Sequence, residues 1–174
     1  MRYDPTLFED AGALRDISIS GVGVAEWKRV LHALVMTGWD LQFSSTLDGE
    51  PGLDSAIDAL FDEVVGNPDA SAALAVRVGA VTFRCYFFDS LEIEFTFDPE
   101  AVSDAAKFDD VVTFMSWLGD ASGGRVIMTM EGTDHVAMPA LLEYVPYRCR
   151  HGEQHVAVRL NDSIVTTVHP EWPS

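Results

Sequence analysis

Residues 74–97 read LAVRVGAVTFRCYFFDSLEIEFTF, and their alternation decides the fold. Apolar side chains fall on every second position of LAVRV, VTFRCYF and LEIEFTF, the period of a strand with one buried face. Val78-Gly79-Ala80-Val81 places glycine first in a two-residue turn, as a type II′ hairpin requires. That register pairs Val78 with Val81 and Val76 with Phe83. The next turn lies around Phe88, Asp89 and Ser90. A three-residue loop there pairs Phe87 with Leu91, Cys85 with Ile93 and Phe83 with Phe95. A two-residue loop would set Arg84 opposite Phe95 on the core side, and an unpartnered buried guanidinium is costly. The three-residue loop is therefore preferred. It leaves Arg77, Thr82, Arg84, Tyr86, Glu92 and Glu94 on the solvent face, followed by Thr96. Arg84 then stands across from Glu94, and Tyr86 across from Glu92.

The elements on either side follow the same kind of reading. Residues 12–20 (GALRDISIS) predict a strand, with Ile17 and Ile19 alternating against Asp16 and Ser18. Gly21-Val22-Gly23 turns the chain into a helix from about Val24 to Met36, with a stripe of Val24, Trp27, Leu31, Leu34 and Val35. Gly38 ends it. Residues 39–47 (WDLQFSSTL) predict a second strand. Residues 53–65 predict a second helix with Leu53, Ile57, Leu60, Phe61 and Val64 on one face. Asp54, Asp58 and Asp62 lie on another face, and no lysine or arginine interrupts this helix. Like charges at that spacing weaken a helix by roughly 0.2–0.5 kcal/mol per pair.

After the meander, Ser103 is a candidate N-cap for a third helix from about Asp104 to Leu118. Its buried stripe is Phe108, Val111, Val112, Met115 and Leu118. Trp117 falls almost opposite that stripe and is a candidate exposed aromatic. GDASGG (119–124) reads as a loop, RVIMTME (125–131) as a strand and PALLEYV (139–145) as another. HVAVRL (155–160) and SIVTTV (163–168) form a hairpin across Asn161-Asp162, so 146–174 is a C-terminal strand hairpin or extension. Consecutive antiparallel strands mixed with helices give the α+β class: an antiparallel sheet, the 74–97 meander plus further strands, against about three helices. At 174 residues, one domain over 1–174 is expected.

Composition limits the partners. Asp and Glu number 28 against 11 Lys and Arg, a net charge of −17, on a chain with 48 % hydrophobic and 10 % aromatic residues. Disordered acidic tails are poor in aromatics, so this charge belongs to a folded surface, which repels itself unless something basic covers it. Direct nucleic-acid binding and attachment to anionic membranes are disfavoured, because both need a basic footprint. The N-terminal MRYDPTLFED has no apolar core of a signal peptide, and no apolar run is long enough to span a bilayer. Cys85 and Cys149 form no CxxC pair, which suits a reduced, cytoplasmic protein. Only Lys28 and Lys107 are lysines. Organisms with acidic proteomes show the same pattern, so charge alone does not require a partner.

Catalytic and cofactor signatures are weak. Gly21-x-Gly23 lies between a strand and a helix, but Glu26 replaces the third glycine of a dinucleotide motif and puts negative charge where a pyrophosphate would dock. Cys149, His151 and His155 are the nearest approach to a zinc set, yet Arg148 and Arg150 flank them. Glu92 and Glu94 share a strand face like an acid–base pair, with Arg84 and Tyr86 expected opposite. No nucleophile–base set assembles from spacing. The expectation is no catalytic residue, no cofactor and no metal. What remains is surface recognition through Asp54, Asp58 and Asp62, the Asp109/Asp110 pair, and the open sheet face with Tyr86, Glu92 and Glu94. Trp117 joins Tyr86 as an aromatic anchor.

The string FFDSLEIEFTFDPEAV (87–102) resembles a pattern found in a group of small bacterial proteins encoded near polymorphic toxins and taken for immunity proteins. The resemblance extends over about residues 16–145, through DISISGVGVAEWKRVLHAL (16–34), the Gly38-Trp39 pair, FMSWLG (114–119) and GRVIMTMEG (124–132). It implies stoichiometric inhibition of a cognate toxin and carries no catalytic residues. A nuclease or nucleic-acid deaminase needs a basic groove for its substrate, and an acidic partner can cover it. The alternatives are a small enzyme with a carboxylate-lined cleft and a general acidic adaptor.

Overall fold

The first strand, β1 (Arg15–Ser20), takes the middle of the sheet. The computed structural model describes residues 3–9, 12–49, 51–133, 140–148, 154–160 and 163–168. From β1 the chain rises into α1 (Val24–Val35) and crosses to the sheet edge, β2 (Asp40–Ser45). Next come α2 (Leu53–Ala59), a π-helical turn over Leu60–Val64, and the strands β3 (Ala72–Val78), β4 (Val81–Tyr86) and β5 (Glu92–Phe97). These three strands step back from β2 to β1. Helix α3 (Ala105–Ser122) crosses to the other flank of β1, where β6 (Val126–Met130) begins a second walk outward. That walk continues through β7 (Leu142–Arg148), β8 (Gln154–Leu160) and β9 (Ser163–Val168). The sheet order is β2-β3-β4-β5-β1-β6-β7-β8-β9, with every neighbouring pair antiparallel. The helices pack on one face, which makes the class α+β.

The β3–β4 hairpin has the expected register, Val78 against Val81 and Val76 against Phe83, and Gly79 adopts the positive φ that the turn needs (+54°). The β4–β5 register differs from expectation. Arg84 lies across from Thr96, not Glu94, a shift of two residues that keeps every side chain on its face. The cause is Leu91. Its carbonyl accepts hydrogen bonds from the Gly21 and Val22 N–H groups (3.1 and 3.2 Å), and its own N–H donates to Asp89 Oδ1 (2.9 Å). Leu91 therefore belongs to the turn after β1, and its side chain is mostly exposed instead of facing the core opposite Phe87. Glu92 and Glu94 stand beside Ser20 and Ser18 of β1.

Helix α3 is longer than its expected span. Asp104, not Ser103, caps it, accepting from Lys107 N–H at 3.0 Å. GDAS continues the helix, and Gly123, at φ +73°, ends it in the left-handed conformation. Phe114, absent from the expected stripe, is central to the core. Its ring stacks on Phe83 at 4.0 Å and meets Phe95 edge-on at 5.0 Å. Trp117 is half-buried, not exposed, with its ring against Trp39 at 5.1 Å, edge to face. The two Trp rings extend the Phe114 cluster toward the β2 end of the sheet, which the α3 periodicity alone could not show. β8 and β9 pair as expected, with Leu160 against Ser163, while Asn161 and Asp162 lie outside the described residues.

Gly119 lies on the buried side of α3, and a Cβ added there would overlap the Tyr144 ring of β7. Tyr144 is itself buried and donates its hydroxyl to Asp120 Oδ1 at 2.6 Å. Alanine is favoured over glycine in a helix interior by about 1 kcal/mol. Overpacking a fitted core costs about 1–3 kcal/mol. Gly119→Ala should therefore lower the midpoint of urea unfolding, and a raised midpoint would refute this packing.

Candidate partner-binding surface

Where β2 ends and β3 begins, two loops enclose a trough of about 550 Å³. One wall is the 66–71 loop, and its local chemistry makes it stiff. Asn67 Oδ1 accepts from Asp69 N–H (3.0 Å), and Asn67 Nδ2 donates to the Glu63 carbonyl (3.1 Å). The loop is fastened to the end of β2 by Thr46 N–H to the Ser71 carbonyl and by Ser71 N–H to Thr46 Oγ1, both 2.9 Å. The other wall is the end of β4. Phe88 N–H donates to the Tyr86 carbonyl at 3.0 Å, a tight turn that separates three aromatic neighbours. Phe87 goes inward against Trp27, with ring centroids 5.4 Å apart. Tyr86 and Phe88 stay outside and stack on one another at 5.8 Å. Phe88 is 79 % exposed. A lone exposed apolar residue is ordinary, but a stacked aromatic pair beside a trough marks a surface suited to a partner.

Thr46, Asn67 and Ala70 also border a second hollow, of about 440 Å³, lined by Asp48, Asp62, Glu63 and Asp69. These four carboxylates come from three separate segments of the chain. None of them takes part in an ion pair among the described residues. On the opposite side, Ser44, Ala73 and Tyr86 connect the trough to a shallower depression on the open sheet face, bordered by Gln42 and Arg84. One continuous surface thus runs from carboxylates, over apolar and hydroxyl groups, to exposed aromatic rings.

Of the residues singled out from sequence, Asp62 and Tyr86 reach this surface. Asp54 and Asp58 are exposed on α2, away from its lining. Asp58 is held by Lys28 of α1 at 2.7 Å, so a cation from a different helix offsets the centre of the aspartate stripe. The hydrogen bond from Lys28, reinforced by its charge, holds the Asp58 carboxyl below the usual aspartate range. Asp109 is exposed, whereas the neighbouring Asp110 is half-buried and accepts from Ala80 N–H at 3.0 Å, tying the β3–β4 turn to α3. Glu92 accepts from Ser20 Oγ at 3.3 Å, and both Glu92 and Glu94 are half-buried beside β1. Trp117 is committed to the core edge. Sequence reading missed Phe88, Asp48, Glu63 and Asp69. Phe88 had a signal: in Tyr86-Phe87-Phe88 only the middle ring can face the core. The convergence of the three acidic segments had none.

Other chemistry is engaged internally. Glu26 Oε2 accepts from Gly23 N–H at 3.0 Å, so the start of α1 already holds a carboxylate. Burial pushes the Cys85 thiol well above its ordinary pKa, which disfavours the nucleophilic thiolate. Among the described residues, no group of three or more His, Cys, Asp or Glu could hold a metal, and no helix is long and apolar enough to cross a membrane. Cys149 and His151 lie outside the described residues. By backbone register, His155 of β8 pairs with Tyr147.

A depressed carboxyl pKa means that the ion pair stabilises the fold above the unfolded-state pKa and is lost as pH falls through the folded one. Carbon-detected NMR titration should place the Asp58 midpoint below that of an ordinary aspartate, and Lys28→Gln should raise it. An unmoved midpoint would remove the Lys28–Asp58 contact from the account. Phe88→Ser should leave stability within about 0.5 kcal/mol of the parent by thermal unfolding, because the ring is outside the core. A large loss would mean that the ring supports the fold. No family model, curated protein or solved structure matches this chain.

Proposed function

We propose that the chain is an immunity-type binding protein: it captures a cognate bacterial toxin with a basic surface, acts in the cytoplasm and performs no chemistry of its own. The observation that carries this reading is the trough, where stacked, exposed Tyr86 and Phe88 adjoin a hollow of carboxylates on stiff loops. Exposed aromatics supply the apolar contact of a binding hot spot. Carboxylates fixed in place attract a cationic partner from a distance and speed its docking. The net charge of −17 extends the attraction beyond the trough.

The same charge favours a toxin that handles nucleic acid, since such enzymes need a basic groove that an acidic protein can cover. The sequence resemblance over residues 16–145 supports the immunity role, and the choice of a nucleic-acid-handling toxin rests on charge alone. The hollow's lining holds carboxylates and no histidine, lysine or cysteine, so it offers no nucleophile–base pair of the Ser/His or Cys/His kind.

The direct test is co-expression with the toxin domain encoded nearest the gene in its source genome, scored as cell survival. Protection together with co-purification of the two chains is expected; killing despite soluble expression of both refutes the pairing. Within such a complex, Asp62→Lys with Glu63→Lys should slow association about tenfold at low ionic strength and have little effect at high salt. Equal slowing by Asp109→Lys would show that net charge matters and the hollow does not.

A further inference from the structure

Resting on the binding reading above, we infer that the trough receives one extended, arginine-bearing segment of the partner protein, lying from the carboxylate hollow to the Tyr86–Phe88 pair. Two features specify this occupant. The first is size. A depression of about 550 Å³ falls within the range of small-ligand sites, so it takes a few residues of a partner and not a broad face. The second is the order of chemistry along it. The hollow with Asp48, Asp62, Glu63 and Asp69 joins the trough through Thr46, Asn67 and Ala70, and the aromatic pair stands on the opposite wall. A segment with cationic and apolar side chains satisfies both ends at once. Arginine suits both better than lysine, because its planar guanidinium pairs with carboxylates in a bidentate fashion and stacks on aromatic rings.

Charge excludes the competing occupants. A second copy of the chain would bring another −17 against these carboxylates, and a nucleic acid would bring phosphates.

The probe is a synthetic, amidated seven-residue peptide that alternates arginine with tryptophan and leucine. Its control carries glutamate in place of arginine. Both are titrated into the isotope-labelled full chain and followed by amide chemical shifts and by peptide fluorescence anisotropy. The arginine peptide should shift amides in 66–73 and 86–88, and the glutamate peptide should shift none. Phe88→Ser should weaken binding about tenfold while the melting temperature is kept. Asp62→Asn with Glu63→Gln should weaken binding and flatten its salt dependence. Shifts centred on Asp54 and Asp58, or on Asp109, would overturn the trough assignment and leave the general acidic-surface reading standing. Indifference to Phe88→Ser, equal binding of the glutamate peptide, or no binding at all would also overturn it. Toxin capture is judged separately by the co-expression result.

Discussion

Burial of β1 on both faces is the constraint on which the rest of the molecule depends. Ile17 and Ile19 are 0 % and 2 % exposed beneath the helices, while Ser18 and Asp16, on the other face, are 0 % and 5 % exposed. Six residues of β1 pair with β5, and four pair with β6. A strand gripped on both edges has no freedom to slip, so it sets the register of the sheet on either side. The chain leaves β1 over a face of the sheet through α1, and α3 later carries it from β5 past β1 to β6. Each crossover ends in a meander. The first meander closes back onto β1, which puts the ends of β2, β3 and β4 together and creates the trough between their loops.

The distribution of cations strengthens the anionic character that the acid excess gives the outer surface. Arg15 is buried and donates to the Leu7 and Ala13 carbonyls at 3.0 Å each. Arg29 donates to the Ala121 carbonyl at 3.0 Å, joining α1 to the end of α3. Lys28 holds Asp58, and Arg125 forms a two-pronged pair with Glu143 at 2.7 and 3.0 Å. These cations serve the fold, while Asp48, Glu63 and Asp69 face solvent on loops and helix ends. Stiff loops matter here, because groups already held in place lose little freedom on binding.

Legibility in the sequence followed the range of the interaction. The β3–β4 hairpin was readable because Gly79 and its flanking alternation are local. The end of β5 was not: the partners that pull Leu91 out of the expected pairing are Gly21 and Val22, near the start of the chain. DISIS alternates like a half-buried strand, yet Asp16 and Ser18 on its polar face are as buried as Ile17 and Ile19, which the alternation does not reveal. Trp117 looked exposed on a helical wheel because Trp39, which receives it, belongs to another part of the chain. At the candidate site, Tyr86 and Asp62 could be named from their faces. The meeting of Asp48, Glu63 and Asp69 around one hollow is a product of the π-helical turn and the 66–71 loop, which the hydrophobic period does not encode.

The central claim is that this molecule acts as a binder through one preformed surface at the ends of β2, β3 and β4. Hydrogen–deuterium exchange on the chain alone and in complex with whichever toxin domain the co-expression test pairs with it tests this most directly. Slowed exchange concentrated in 66–73 and 86–91, with little change along the exposed face of α3, is the predicted result. Protection spread over α3 or the β9 edge, with the trough exchanging as freely as before, would contradict the account.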